Sequence, residues 1–401
     1  SSLVTGVQTC ALPIYIGAIL RFHKQPELIK DIRSGSNSGL PNNLVNFNGN
    51  LAFSAEDSYG NQELWISDGT ELGTTKLKEI NPSTSQGSYP YNLVASGSYL
   101  YFAADDGSTG QELWVTDGTE SGTTQIADIA AGQESSLPRD LTLYQNNLYF
   151  TADSGNGRKL WSVIGRSAVQ MSSSLTLHSD SQMIEFGDEL YFVAAEEGDG
   201  RALWKLDGKY GNFEKVYDAY PDTEDHSTID NLTVSNDQLF FTSSTYEYNT
   251  ELYVTDGTEN GSRLTKVIHK NSGGSNPQDL VDVNGVIYFS ADDGVNGREL
   301  WRSDGTENGT FMAADIYVGG SANVDHITNI NGTLFFAASS LDNEGNPIYR
   351  ELWEYYTSTD EAKLTLDIHP TSSSISHNNT FTQAGNQVLF VADNGDRKSV
   401  V

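Results

Sequence analysis

The chain has 401 residues, with 23 Lys and Arg against 54 Asp and Glu, for a net charge of −31. That balance excludes a nucleic-acid binder, whose phosphate contacts need clustered Lys and Arg, and it disfavours an anionic membrane surface. No apolar run reaches the roughly 18–20 residues of a spanning helix, so no membrane insertion is expected, and the single cysteine, Cys10, excludes an intrachain disulfide.

From the amino end, Ser1 to Ile14 (SSLVTGVQTCALPI) matches nothing later in the chain and closely resembles a translated sequencing adapter; Asp396 to Val401 resembles its companion. Residues 1–14 and 396–401 are therefore expected to be non-native, with 15–395 forming a single domain that is an internal fragment. Reading Ala11 to Leu20 as a signal-peptide core fails on the missing basic n-region and on Pro13 and Gly17. Glu27 to Ile32 reads as the outer strand of a repeat, because Thr124 to Ile129, Met312 to Ile316 and Leu364 to Ile368 close on the same Asp-Ile.

One complete repeat follows. Asn43 to Phe47 alternates as a first strand, and Asn48-Gly49 is a two-residue hairpin turn, since both residues tolerate positive φ. Leu51 to Ala55 is a second strand, Glu56 to Gln62 an acidic loop, and Glu63 to Ser67 a third strand with Leu64 and Trp65 on opposite faces. Asp68 to Gly73 makes another turn, and Thr74 to Ile80 a fourth strand. The phrase from Glu63-Leu64-Trp65 to Thr74 recurs at Glu112 to Thr123 and Glu299 to Thr310, and at Glu251 to Ser262 with Tyr253 in the Trp place.

Leu160-Trp161, Leu203-Trp204 and Leu352-Trp353 keep the aromatic pair without the full turn. The anchors Trp65, Trp114, Trp161, Trp204, Tyr253, Trp301 and Trp353 stand about 48 residues apart and use every Trp in the chain, which marks them as packing residues. A second-strand phenylalanine keeps the same phase: Phe53, Phe102, Phe150, Phe192, Phe241, Phe289, Phe336 and Phe390. Four short strands per repeat, with no helix-period stretch, predict an all-β chain. The expected fold is a β-propeller of four-stranded antiparallel blades, eight with the last incomplete, or seven.

The recurring Glu-Leu-Trp, Asp-Gly-Thr and second Gly-Thr at 63–74, 112–123 and 299–310 resemble the ELWxxDGT repeat family of bacterial proteins, over about residues 27 to 395. The resemblance implies a propeller-like, exported repeat protein without an assigned activity. The third, fourth and seventh repeats depart from the pattern after Trp161, Trp204 and Trp353, so nothing about the turn carries over to them.

Two readings of that turn compete. In one, Asp accepts bonds from N–H groups two or three residues on, both glycines supply a φ that other residues resist, and Thr hydroxyls close the hairpin. In the other, Asp68, Asp117, Asp256 and Asp304, with Glu71, Glu120, Glu259 and Glu307, bind calcium, which wants about six to eight oxygen ligands. The EF-hand spacing is absent, and turn chemistry accounts for every signature residue, so no cofactor is expected and calcium is the alternative.

Enzyme motifs are sparse. No His pair has H-E-x-x-H spacing and no G-x-S-x-G elbow appears; His326, His369 and His377 fall at repeat entries. Arg158, Arg201, Arg298 and Arg350 share the position before the third strand, which reads as repeat structure. The expected function is a non-catalytic, secreted or cell-surface scaffold that binds a protein or carbohydrate partner through its loops, with no catalytic residues and an oligomeric state the sequence leaves open. The alternatives are a glycan-active hydrolase or lyase with an axial carboxylate site, and a calcium-stabilised adhesion module.

Overall fold

Each repeat folds into a four-stranded antiparallel sheet in the computed structural model, which describes residues 29–34, 39–83, 86–177, 182–207, 211–220, 228–270, 273–342, 344–368, 371–375, 381–384, 387–389, 392–393 and 399–400. The expected segment 1–14 and residues 396–398 lie outside the described residues, as do His369, His377 and Phe390. The chain separates into two compact units, one built on Arg21–Ser181 with Ala194–Glu197, the other on Gln182–Val193 with Gly198–Val401.

The first sheet runs in chain order, Asn42–Phe47, Asn50–Ser58, Asn61–Ser67 and Thr75–Lys76. The second and third begin at Tyr91–Ser96 and Arg139–Tyr144. The fourth begins at Met183–Phe186 and gains a fifth strand, Thr176–Leu177, paired with Ala195 and Ala194. The fifth, sixth and seventh begin at Ile229–Ser235, Gln278–Val283 and Asp325–Ile330. Beyond these seven, Thr382–Ala384 pairs with Gln387–Leu389 where an eighth repeat's first two strands are expected, and Ala392–Asp393 pairs with Ser399–Val400. Among the described residues the only helical turn is the 3-10 segment Glu259–Gly261. The chain is all-β, with the blade architecture of a β-propeller.

The alternation read from sequence places the core. In the first sheet Phe53 faces Trp65 across the central strand pair, and Asn48-Gly49 turns with φ of 53° and 81°, as a type I′ hairpin requires. The seven described second-strand phenylalanines are buried. Of the seven anchors all but Trp161 are buried, none above 8% exposed; Trp161 is half-buried.

Five of the seven anchors pack with residues of the sheet before them. Trp114 meets Leu64 and Ile80, Trp161 meets Leu113 and Ile129, Tyr253 meets Leu203 and Val216, Trp301 meets Leu252 and Ile268, and Trp353 meets Leu300 and Ile316. At these five junctions the third strand gives its aromatic ring to the previous sheet, and Leu64, Leu113, Leu203, Leu252 and Leu300 are the third-strand leucines that receive it. A single buried aromatic of this size contributes on the order of 3–5 kcal/mol, judged by truncation to Ala.

Three expectations change. Glu56 to Gln62 is not a loop, because the strands run on to a two-residue turn at Tyr59-Gly60. The fourth strand covers only Thr75–Lys76 rather than Thr74 to Ile80; Leu77 N–H still reaches Leu64 O at 2.8 Å, and then the chain turns inward. Residues 29–34 form no strand, but Lys30 donates from Nζ to Thr74 O, as Lys78 does to Thr123 O and Lys266 to Thr310 O. The segment thus keeps the outer position expected of it, and its ammonium caps the neighbouring turn.

Candidate functional site

The signature turn is satisfied internally. Asp68 Oδ1 accepts from Thr70 N at 2.8 Å and Thr70 Oγ1 at 2.7 Å, Gly73 N donates to Thr70 Oγ1, and Ser67 and Thr74 hydroxyls lie 2.6 Å apart. The same bonds recur at Asp117, Asp256 and Asp304. The hydroxyl bond is the first cause holding each of these carboxyls below the usual aspartate range. The first glycine has the expected positive φ, 87° at Gly69 and 90° at Gly118. The second does not. At Gly73 and Gly122 a Cβ would lie 1.9–2.0 Å from the Asp carboxylate, so that glycine serves close approach rather than φ. Among the described residues no three Asp, Glu, His or Cys side chains gather as a metal-binding group, and Glu71 is exposed.

The glutamate of Glu-Leu-Trp carries a role that the sequence reading did not assign. Glu63, Glu112, Glu251, Glu299 and Glu351 are all fully buried. Glu112 accepts from Ile129 N and Ala130 N at 3.1 Å, Ser136 N at 3.2 Å and Ser136 Oγ at 2.6 Å. Glu63 takes the same four donors from Ile80, Asn81 and Ser88. Each carboxylate therefore gathers the connection between its own sheet and the next, which explains why the fourth strand ends early. Burial raises the carboxyls of Glu63, Glu112, Glu251 and Glu299, and the hydrogen bonds they accept oppose it. Glu299 is pushed furthest, up to about 7, because Ala322 stands where the others meet a Ser hydroxyl. Repeats three and four have Lys159 and Ala202 at this position.

A second recurrent device joins the first strands, which lie side by side within each unit. Asn43, Asn92, Asp140, Asn231, Asp279 and His326 occupy one bulge position, all with φ between 53° and 58°. Asn and Asp tolerate this left-handed conformation better than most residues. Asn43 Nδ2 donates to Pro90 O at 3.0 Å and Asn92 Nδ2 to Pro138 O at 3.3 Å. Asn231 Nδ2 donates to Pro277 O at 3.5 Å, and Asp279 Oδ2 accepts from His326 N at 2.7 Å. The in-phase pattern Pro41-Asn42-Asn43, Pro90-Tyr91-Asn92, Pro138-Arg139-Asp140 and Pro277-Gln278-Asp279 is the sequence signal that marks them.

The last two members of this series sit beside a polar cavity of about 460 Å³, lined by Gln278, Arg298, Asn323, Asp325, Ser339 and Arg350 among others. Arg350 is 4% exposed; its guanidinium donates to Ile375 O, Asn323 O and the Asp325 carboxylate, and lies 3.3 Å from His326 Nδ1. Asp325 Oδ1 also lies 3.0 Å from His326 Nδ1. Burial raises the Asp279 carboxyl, against the His326 N–H bond and the His326 charge. Arg298 donates to Ser290 Oγ at 3.0 Å and Asn276 O at 2.9 Å. Of the histidines set at repeat entries, His326 thus belongs to a charged cluster. Three of the arginines before the third strand hold connecting backbone: Arg158 at Leu137 O, Arg298 at Asn276 O and Arg350 at Asn323 O and Ile375 O.

The fold and these bridges define an all-β repeat protein of the propeller class. No family model matches the chain, and no curated protein matches it. Among solved structures, the chain is similar to dipeptidyl peptidase 4 of Porphyromonas gingivalis, with a TM-score of 0.55 at 11% identity over 87% of this chain and 55% of that one. A prolyl endopeptidase matches with a TM-score of 0.47 at 10% identity over 89% and 54%, and puromycin hydrolase with 0.43 at 13% over 92% and 60%. The chain spans a little over half the length of these proteins. The likeness to the dipeptidyl peptidase shows the shared β-propeller fold. It also corrects the functional expectation, since the solved structure it resembles is that of a peptidase rather than of a partner-binding scaffold, a glycan-active enzyme or an adhesion module.

Proposed function

We propose that this chain is the propeller part of a peptidase, receiving peptide chains for a hydrolytic centre supplied from outside these 401 residues. The observation supporting the reading is the likeness to dipeptidyl peptidase 4, which extends over 87% of this chain. The chain has no Gly-x-Ser-x-Gly elbow, so in this reading its residues position substrate and do not cleave it. Membership of the ELWxxDGT repeat family and a secreted or cell-surface location are part of the same proposal, motivated by the repeated signature and the acidic surface. The test is expression of the uninterrupted coding sequence. Its product should cleave short peptides while the 401-residue chain alone does not, and an intact product inert toward a broad peptide panel refutes the reading.

A further inference from the structure

The cavity in the second unit has an unusual charge balance for this protein. Its charged lining is Arg298, Arg350 and Asp325, one net positive charge in a chain of net charge −31. The two arginines are not equivalent. Arg350 is neutralised by the Asp325 carboxylate and saturated by backbone carbonyls. Arg298 bonds only neutral oxygens, those of Ser290 and Asn276. Its nearest opposing charges, Asp292, Asp279 and Asp325, act on it at longer range, and among the described residues none makes an ion pair with it. A half-buried guanidinium with no carboxylate in direct contact can make charge-assisted hydrogen bonds to a bound anion. The neighbouring wall carries neutral hydrogen-bonding groups on Gln278, Asn323, Ser339 and Ser373, suited to amide N–H and C=O groups. A cavity near 460 Å³ falls within the ~300–1,000 Å³ usual for small-ligand sites.

We infer that this cavity binds the C-terminal carboxylate of a short peptide, with Arg298 as its charged anchor and the Gln278, Asn323, Ser339 and Ser373 side chains along the peptide backbone. The carboxylate chemistry stands on the cavity alone; the choice of a peptide rests on the peptidase reading. The surface at large repels anions, so a preference for an anionic ligand over its neutral analogue must come from a local site.

Titration calorimetry of the 401-residue chain at low salt tests this with N-acetyl-trialanine, its C-terminal amide, and acetate. The free acid is expected to bind at least tenfold more tightly than the amide, with acetate weaker but competitive. Arg298→Gln should erase the acid preference and Arg298→Lys should keep most of it. Arg158→Gln, at the matching position of the third repeat, should change nothing. Unchanged tryptophan fluorescence in each variant confirms folding. Equal binding of acid and amide, no binding of either, or an acid preference that survives Arg298→Gln overturns the site. Acetate binding as tightly as the peptide overturns the peptide class. Either result leaves the peptidase reading standing, because that is judged on the uninterrupted protein's hydrolysis.

Discussion

Ala322 leaves Glu299 without the Ser hydroxyl donor that the other four buried carboxyls have, and the consequence can be worked through in pH. Glu299 accepts from Ile316 N at 2.7 Å and Ala322 N at 2.8 Å, but has no counterpart of the Ser136 hydroxyl that reaches Glu112 at 2.6 Å. Its pKa, about 7 in the folded chain against 4.5 when unperturbed, means that the folded state holds this proton more tightly than the unfolded state. Stability from this group is therefore full below about pH 4.5 and is lost as pH rises through 7. At about 1.4 kcal/mol per pKa unit, the loss is on the order of 3 kcal/mol at most. Ala322→Ser restores a hydroxyl donor to the ionised carboxylate, an interaction of roughly 1.5–3 kcal/mol before its own desolvation. The expected outcome is a gain of about 1–2 kcal/mol at pH 8 that shrinks toward zero at pH 5. Urea unfolding of wild type and variant at both pH values, compared at constant m, reads it directly. A gain of equal size at both pH values, or destabilisation at pH 8, refutes the reasoning.

Trp114→Ala should cost about 3–5 kcal/mol by thermal unfolding, and Trp161→Ala, whose ring is half-buried, clearly less. Asn92→Ala loses both the bond to Pro138 O and tolerance of φ 53°, for about 1–3 kcal/mol, and Asn92→Gly should recover the backbone share; a glycine variant no better than alanine would refute the strain argument. Gly122→Ala should destabilise the chain by at least about 1 kcal/mol, since its Cβ would lie 2.0 Å from the Asp117 carboxylate, which Thr119 holds in place. Chelator should leave the melting temperature unchanged, and a rise of several degrees on adding millimolar calcium would favour the metal reading of Asp68, Asp117, Asp256 and Asp304.

Much of the fold was legible because its signals are local. The period was marked by one large aromatic per repeat, strand phase by Phe102, Phe150 and their equivalents, and the hairpin by Asn48-Gly49. The glutamate was not legible. In Glu63-Leu64-Trp65 all three residues are buried, so alternation gives no contrast, and an acidic residue in an acidic chain reads as surface. Its partners lie 17 to 25 residues onward, in a connection that looks like loop. The fourth strand reads longer in sequence than it is for the same reason, since Ile80 alternates like a strand residue while its N–H turns inward to Glu63. The cavity drew on residues already noted, Arg298, Arg350 and His326, but repetition explained the arginines as structure. Only the geometry shows that Arg350 is neutralised and Arg298 is not.

The account depends most on the buried glutamate locking each connection to its own third strand. Amide hydrogen exchange on the connection from Ile129 to Ser136 measures this in the intact chain. Wild type should show these amides protected well beyond an exposed loop. Glu112→Gln should speed their exchange at least tenfold while leaving the connection after Lys159, which has no such carboxylate, unaffected. Exchange at the free-loop rate in wild type, or equal protection in the variant, would contradict it.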